Sequence, residues 1–118
     1  MSFEQKSKYD FYDLVEIMKV LRWPDGCPWD KVQTHHSIRQ DFIEETYEAI
    51  EAIDTNNTEL LREELGDVMM QVIFHANMEE EVGSFDIADV IDEVAKKLIF
   101  RHPQVFADTI ADTPEQVL

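Results

Sequence analysis

Apolar residues recur along this chain every three or four positions, the period of an α-helix packed on one side. Phe11, Leu14, Val15, Met18 and Leu21 form one such stripe and predict a first helix from about Asp10 to Arg22. Pro24, Gly26 and Pro28 interrupt the pattern, so residues 23–34 read as a structured loop. A second helix starts near Ser37, a good N-cap residue, and runs to about Asp54 on the stripe Ile38, Phe42, Ala49, Ile50 and Ile53. Thr55, Asn56 and Asn57 make a turn, with Asn57 or Thr58 able to cap the next helix. That third helix carries Leu61, Leu65, Val68, Met69, Val72 and Ala76 and stops before Gly83. A fourth begins around Ser84 or Asp86, carries Ile87, Val90, Ile91, Val94 and Leu98, and is limited by Pro103. No alternating strand pattern and no tandem repeat interrupts this order. Four helices with short connections predict an all-α, four-helix-bundle architecture in one domain covering residues 1–118.

Near its end the chain reads Thr113-Pro114-Glu115-Gln116, a capping-box start for a further helix. The sequence stops at Leu118, barely a turn later, and the expectation is that the natural protein continues.

Charge narrows the choice of partner. Lys and Arg total 10 against 26 Asp and Glu, a formal charge of −16. Such a surface repels phosphate backbones, so duplex nucleic acid is not an expected partner. Solvated helix faces account for most of the excess. The apolar runs are too short for a membrane span, the N-terminus is unlike a secretory signal, and Cys27 has no second cysteine to pair with. A soluble cytoplasmic protein is expected.

Some of the acids recur at helical spacing. Glu44-Glu45-Thr46-Tyr47-Glu48 lies on the second helix and Glu64-Leu65-Gly66-Asp67 on the third. Residues three apart share a helix face, so Glu45 projects with Glu48, and Glu64 with Asp67. Counted from a turn centred near Asn56, Glu48 and Glu64 fall at equal depth, and so do Glu45 and Asp67, at roughly 12 and 16 Å for a rise of about 1.5 Å per residue. Four carboxylates could then meet between two antiparallel helices. Their repulsion and lost hydration would be offset by a divalent cation, and an oxygen-only ligand set selects Mg²⁺, or Mn²⁺ in its place. No His lies three residues after a Glu, which argues against a ferritin-like di-iron site. An ordinary solvated acidic face is the competing reading. Gly66, inside a helix at a cost of about 1 kcal/mol relative to Ala, could be kept for the close approach of a helix or ligand.

An anionic substrate needs cations. Lys97 and Arg101 are four apart on the fourth helix and could grip phosphates, although basic residues near a helix C-terminus are also favoured by its dipole. In the loop, Trp29 could stack on a nucleobase and Lys31 meet a phosphate. Equally, Trp29 could plug the bundle end and Lys31 be solvated.

Four blocks carry a family resemblance: Gly-Cys-Pro-Trp-Asp-Lys-Val-Gln-Thr-His at 26–35, Glu-Glu-Thr-Tyr-Glu at 44–48, Glu-Leu-Gly-Asp at 64–67, and Lys-Leu-Ile-Phe-Arg-His-Pro-Gln-Val-Phe at 97–106. In these the chain resembles the MazG nucleoside triphosphate pyrophosphohydrolases. The resemblance implies an all-α fold, an intertwined homodimer, and Mg²⁺ held at Glu45, Glu48, Glu64 and Asp67. It also implies phosphate contact by Lys97 and Arg101 and a housecleaning role on ordinary or non-standard nucleoside triphosphates. The expected reaction is in-line attack of water at the α-phosphorus, giving a monophosphate and pyrophosphate, with Glu44 or Glu45 as base or water-orienting group. Two other readings stay open: a catalytically silent helical module that binds nucleotide or a partner protein, and a dUTPase-like relative of narrow substrate choice.

Overall fold

A computed structural model of the chain describes residues 3–107, and every regular element among them is helical. The order is α1 (Phe11–Leu21), a 3₁₀ turn (Asp30–Val32), α2 (Arg39–Asp54), α3 (Thr58–Glu81), α4 (Ile87–Arg101) and the short α5 (Pro103–Phe106). The expected all-α class holds; the capping pattern at 113–116 lies outside the described residues. No helix among the described residues is long and apolar enough to cross a membrane. The chain divides into two compact units, Met1–Ser84 and Phe85–Leu118.

In the first unit α2 and α3 pack against each other as a hairpin, and α1 packs on α3. Helix ends follow local chemistry. Asp10 caps α1 in a reciprocal box with Asp13. Asn56 takes the left-handed conformation (φ 54°) in the turn, and Asn57 accepts from the Leu60 amide at 3.1 Å to start α3. At the far end Gly83 has φ 76°, and the Gly83 and Ser84 amides donate to the Glu80 and Glu79 carbonyls. These are the paired bonds that close a helix on a left-handed glycine.

Ser37 does not cap α2. Its backbone amide donates to Thr34 Oγ1 (3.2 Å) while its hydroxyl accepts from the Thr34 amide (2.7 Å). Thr34 is therefore the capping residue of an irregular turn over residues 35–38, and α2 begins only at Arg39. In the second unit Asp86 caps α4 in a box with Asp89. Pro103 does more than limit α4, because as first residue it opens α5.

The core of the first unit joins Val15 and Met18 of α1, Ile38, Ala49 and Ala52 around α2, and Ile73, Phe74, Ala76 and Met78 of α3. Several residues expected to be buried are not. Ile50 and Ile53 of α2, and Leu65, Met69 and Val72 of α3, are exposed. The inward stripe of α3 runs through Glu64, Gln71, Phe74 and Met78. Leu65 and Val72 follow Glu64 and Gln71 by one residue, hence about 100° round the helix. On α2 the same offset separates buried Ala49 and Ala52 from exposed Ile50 and Ile53. Each helix thus carries two apolar stripes, and only one faces the core of its own unit.

Candidate functional site

The hairpin gathers carboxylates around buried Glu64, from half-buried Glu45 and Asp67 to exposed Glu48 and Glu63. One carboxylate oxygen from each of Glu45, Glu48 and Glu64 lies within 4.8 Å of the others, and the same holds for Glu63, Glu64 and Asp67. Glu64 belongs to both groups and is buried. The four acids singled out by helical spacing therefore meet at one patch, with Glu63 added. Spacing could have shown Glu63 too, since it lies one turn before Asp67. Glu44 stands apart: it is exposed and accepts a long 3.4 Å bond from Gln40 Nε2.

Within the described residues nothing of opposite charge compensates this patch. Glu45 Oε2 and Glu64 Oε2 are buried without a hydrogen-bond partner. Burial is the main force pushing the Glu64 carboxyl up to about 7, helped by hydrogen bonding to Glu48 and the nearby charges of Glu48 and Asp67. Burial also raises Glu45, with repulsion from Asp67 and Glu48 adding to it. Buried oxygens with vacant lone pairs, all from carboxylates, are the donor set that a hard divalent cation requires. These residues fit such an ion.

Glu45 also borders a cleft of about 490 Å³ entered between α1 and the hairpin. Its walls include Leu14, Ile17, Met70 and Phe74, and Trp29 lies at its edge. The Trp29 ring is half-exposed and meets Phe74 edge-on at 6.4 Å, so it neither plugs the bundle nor floats free. Lys31 is exposed, with Nζ donating to the Pro24 carbonyl at 2.6 Å.

Arg22 fastens this loop. Its Nη1 donates to the carbonyls of Asp30 (2.8 Å) and Gln33 (3.0 Å), while Nε and Nη2 form a fork with Glu81 of α3. The guanidinium also lies over the Phe74 ring at 5.5 Å. Nothing in the sequence pattern singled out Arg22, whose partner Glu81 lies 59 residues away. A second unexpected cluster joins Glu79, His35 and His75. His35 Nε2 pairs with Glu79, and His35 Nδ1 lies 2.7 Å from His75 Nδ1. Burial lowers His75 and the neighbouring His35 lowers it further. Glu79 is lowered chiefly by the Ser84 hydroxyl and then by His35.

In the second unit Lys97 and Arg101 are both exposed on α4. Neither forms an ion pair among the described residues, whereas Lys96 pairs with Asp92 at 2.8 Å.

The described residues are all-helical and bring together an uncompensated carboxylate cluster around buried Glu64 that could hold a hard cation. The family follows from direct comparison. Residues 33–106 match the model of the MazG nucleotide pyrophosphohydrolase domain, and the chain belongs to that family. It is 54% identical over 99 residues, 84% of its length, to a Thermotoga maritima protein named nucleoside triphosphate pyrophosphohydrolase/pyrophosphatase MazG. It is 47% identical over 106 residues, 89% of its length, to the Escherichia coli K12 nucleoside triphosphate pyrophosphohydrolase. The chain covers only 39% and 40% of these two relatives. The crystal structure of a mazG-related protein from Thermotoga maritima superposes with a TM-score of 0.73 at 25% identity, over 90% of this chain and 91% of that one.

Proposed function

We propose that residues 1–118 act as one catalytic domain that hydrolyses nucleoside triphosphates to the monophosphate and pyrophosphate, with Mg²⁺ as cofactor and Mn²⁺ able to replace it. The observation that carries this reading is the carboxylate patch centred on Glu64, with its two partnerless buried oxygens. Glu45, Glu48, Glu64 and Asp67 would hold the metal, and Glu63 stands close enough to join them. When bound, the ion supplies positive charge for the triphosphate and acidifies water.

The remaining work falls to the chain's own groups. Glu45 or Glu44 orients the attacking water toward the α-phosphorus and accepts its proton; half-buried Glu45, its carboxyl raised by burial, lies inside the patch, whereas Glu44 stands exposed apart from it. Lys97 and Arg101, free of ion pairs among the described residues, take the departing pyrophosphate. Trp29 offers a ring face to the base, and Lys31 can release the Pro24 carbonyl for a phosphate. A homodimer completes the reading. The stripes Ile43, Tyr47, Ile50 on α2 and Leu65, Met69, Val72 on α3 are too apolar to remain in water, and a second copy would cover them. A cytoplasmic housecleaning role on the nucleotide pool fits this activity.

Chromatographic product analysis over a panel of standard and modified nucleoside triphosphates, with Mg²⁺ and with EDTA, tests the reading. Monophosphate plus pyrophosphate in the Mg²⁺ arm alone is the expected result. Nucleotide binding without product would make the chain a silent module. Turnover of dUTP alone would make it a narrow relative.

A further inference from the structure

Gln71 and Asn77 are the buried polar residues of α3 outside the carboxylate patch; Asn77 Nδ2 donates to the Val15 carbonyl at 3.4 Å, whereas Gln71 faces a cleft. Its side chain is 8% exposed, and its Oε1 is buried without a hydrogen-bond partner. It lines the 490 Å³ cleft, one wall of which is Glu45. A buried amide left unsatisfied costs about 1–3 kcal/mol, so a core position that faced only protein would favour Leu or Met. The rest of the cleft is mainly apolar, with the ring of Trp29 and the part-exposed acids Asp30 and Asp41 also lining it. Mostly apolar walls, a buried uncharged polar group and a volume of several hundred Å³ describe a site for a flat heterocycle with a polar rim. The metal-binding acids at one border fix which part of a ligand enters, because the triphosphate must lie toward Glu45 and the uncharged end away from it.

We propose that this cleft takes the nucleobase of the substrate, with the Gln71 amide hydrogen-bonding to the base edge. The inference rests on the pyrophosphohydrolase reading and adds to it the element that recognises the base. A carboxamide offers one acceptor and two donors, and no protein group fixes which way this one is turned. It can therefore pair with edges that present an amino group or a carbonyl. The consequence is affinity for a base without strong choice among bases.

The test compares the wild type with Gln71→Met, a change that keeps length and volume but removes the hydrogen bonds. Steady-state kinetics with ATP, GTP, CTP and UTP should show KM raised about tenfold for each, the value of one hydrogen bond of about 1.4 kcal/mol. For ribose 5-triphosphate, which has no base, KM should not change. Equal effects with and without the base, or no effect on either, would overturn the assignment. Should the variant fold poorly, the wild type still decides. In an NMR titration with nucleoside monophosphate the Gln71 side-chain amide resonances should move, and with ribose 5-phosphate they should stay. Their indifference to both would reject the base site. A wild type that releases no pyrophosphate from any triphosphate defeats the enzymatic reading itself, which is a separate outcome.

Discussion

The two halves of α3 handle charge in opposite ways. Toward its start, Glu63, Glu64 and Asp67 gather with Glu45 and Glu48, acid against acid, and the Glu45 and Glu64 carboxyls are pushed upward, each with one oxygen left bare. Toward its end, Glu79, Glu80 and Glu81 meet His35, Lys19 and Arg22, each acid with its own base, and Glu79 is pulled down rather than up. The same residue type on the same helix is scaffold at one end and an unfinished site at the other. Compensation, not acidity, separates them.

Substitutions at the two ends should therefore do opposite things. Glu48→Gln should cut turnover roughly a hundredfold or more through lost metal affinity, while leaving stability in EDTA equal or higher because a like charge is removed. An active Glu48→Gln protein would take this patch out of the chemistry. Arg22→Ala should behave in reverse: urea unfolding should show a loss of about 2–3 kcal/mol, since Glu81 and two loop carbonyls lose their donor.

Protons sharpen the contrast. Glu64 titrates near 7 when folded against 4.5 unperturbed, so the metal-free fold holds an extra proton between those values. Its contribution to stability is complete below about pH 4.5 and lost as pH rises through 7. His75, lowered by burial, acts the other way: its neutral form is preferred when folded, so stability is lost as pH falls below 6.5. Thermal melts in EDTA between pH 5 and 8 should show Glu64→Gln gaining on the wild type as pH rises. Parallel curves would mean that Glu64 does not hold its proton.

The smallest effect concerns Gly66. A Cβ there would meet nothing within 4 Å, so close approach within this chain is not what keeps it. Gly66→Ala should add about 0.5–1 kcal/mol to the unfolding free energy of the metal-free protein. A simultaneous loss of activity would point to a ligand or second copy passing over that spot.

What was legible in the sequence follows the reach of each interaction. Helix starts at Asp10, Asn57 and Asp86 and the stop at Gly83 depend on residues three or four apart, and they could be read directly. The meeting of Glu45, Glu48, Glu64 and Asp67 was readable because a three-residue turn ties α2 to α3 and fixes their register. Burial along the hairpin was misjudged, since periodicity reports that Leu65, Met69 and Val72 are apolar without saying which neighbour they meet. Arg22–Glu81 and His35–Glu79 join residues 59 and 44 positions apart, where no local pattern could pair them. Nothing in the sequence pattern marks Gln71; its burial and its missing partner are visible only in the fold.

A Cβ at Gly26 would fall 2.5 Å from the carbonyl oxygens of both Val20 and Leu21, and the next amide, Cys27, donates to Leu21 at 2.8 Å. The segment bearing Trp29 is thus seated hard against the end of α1 before any ligand arrives. Its ordering entropy is spent during folding, so association loses little more to immobilising it. Under the proposed function, a nucleotide would meet a docking edge that is already set, and little of its binding energy would go to ordering the loop.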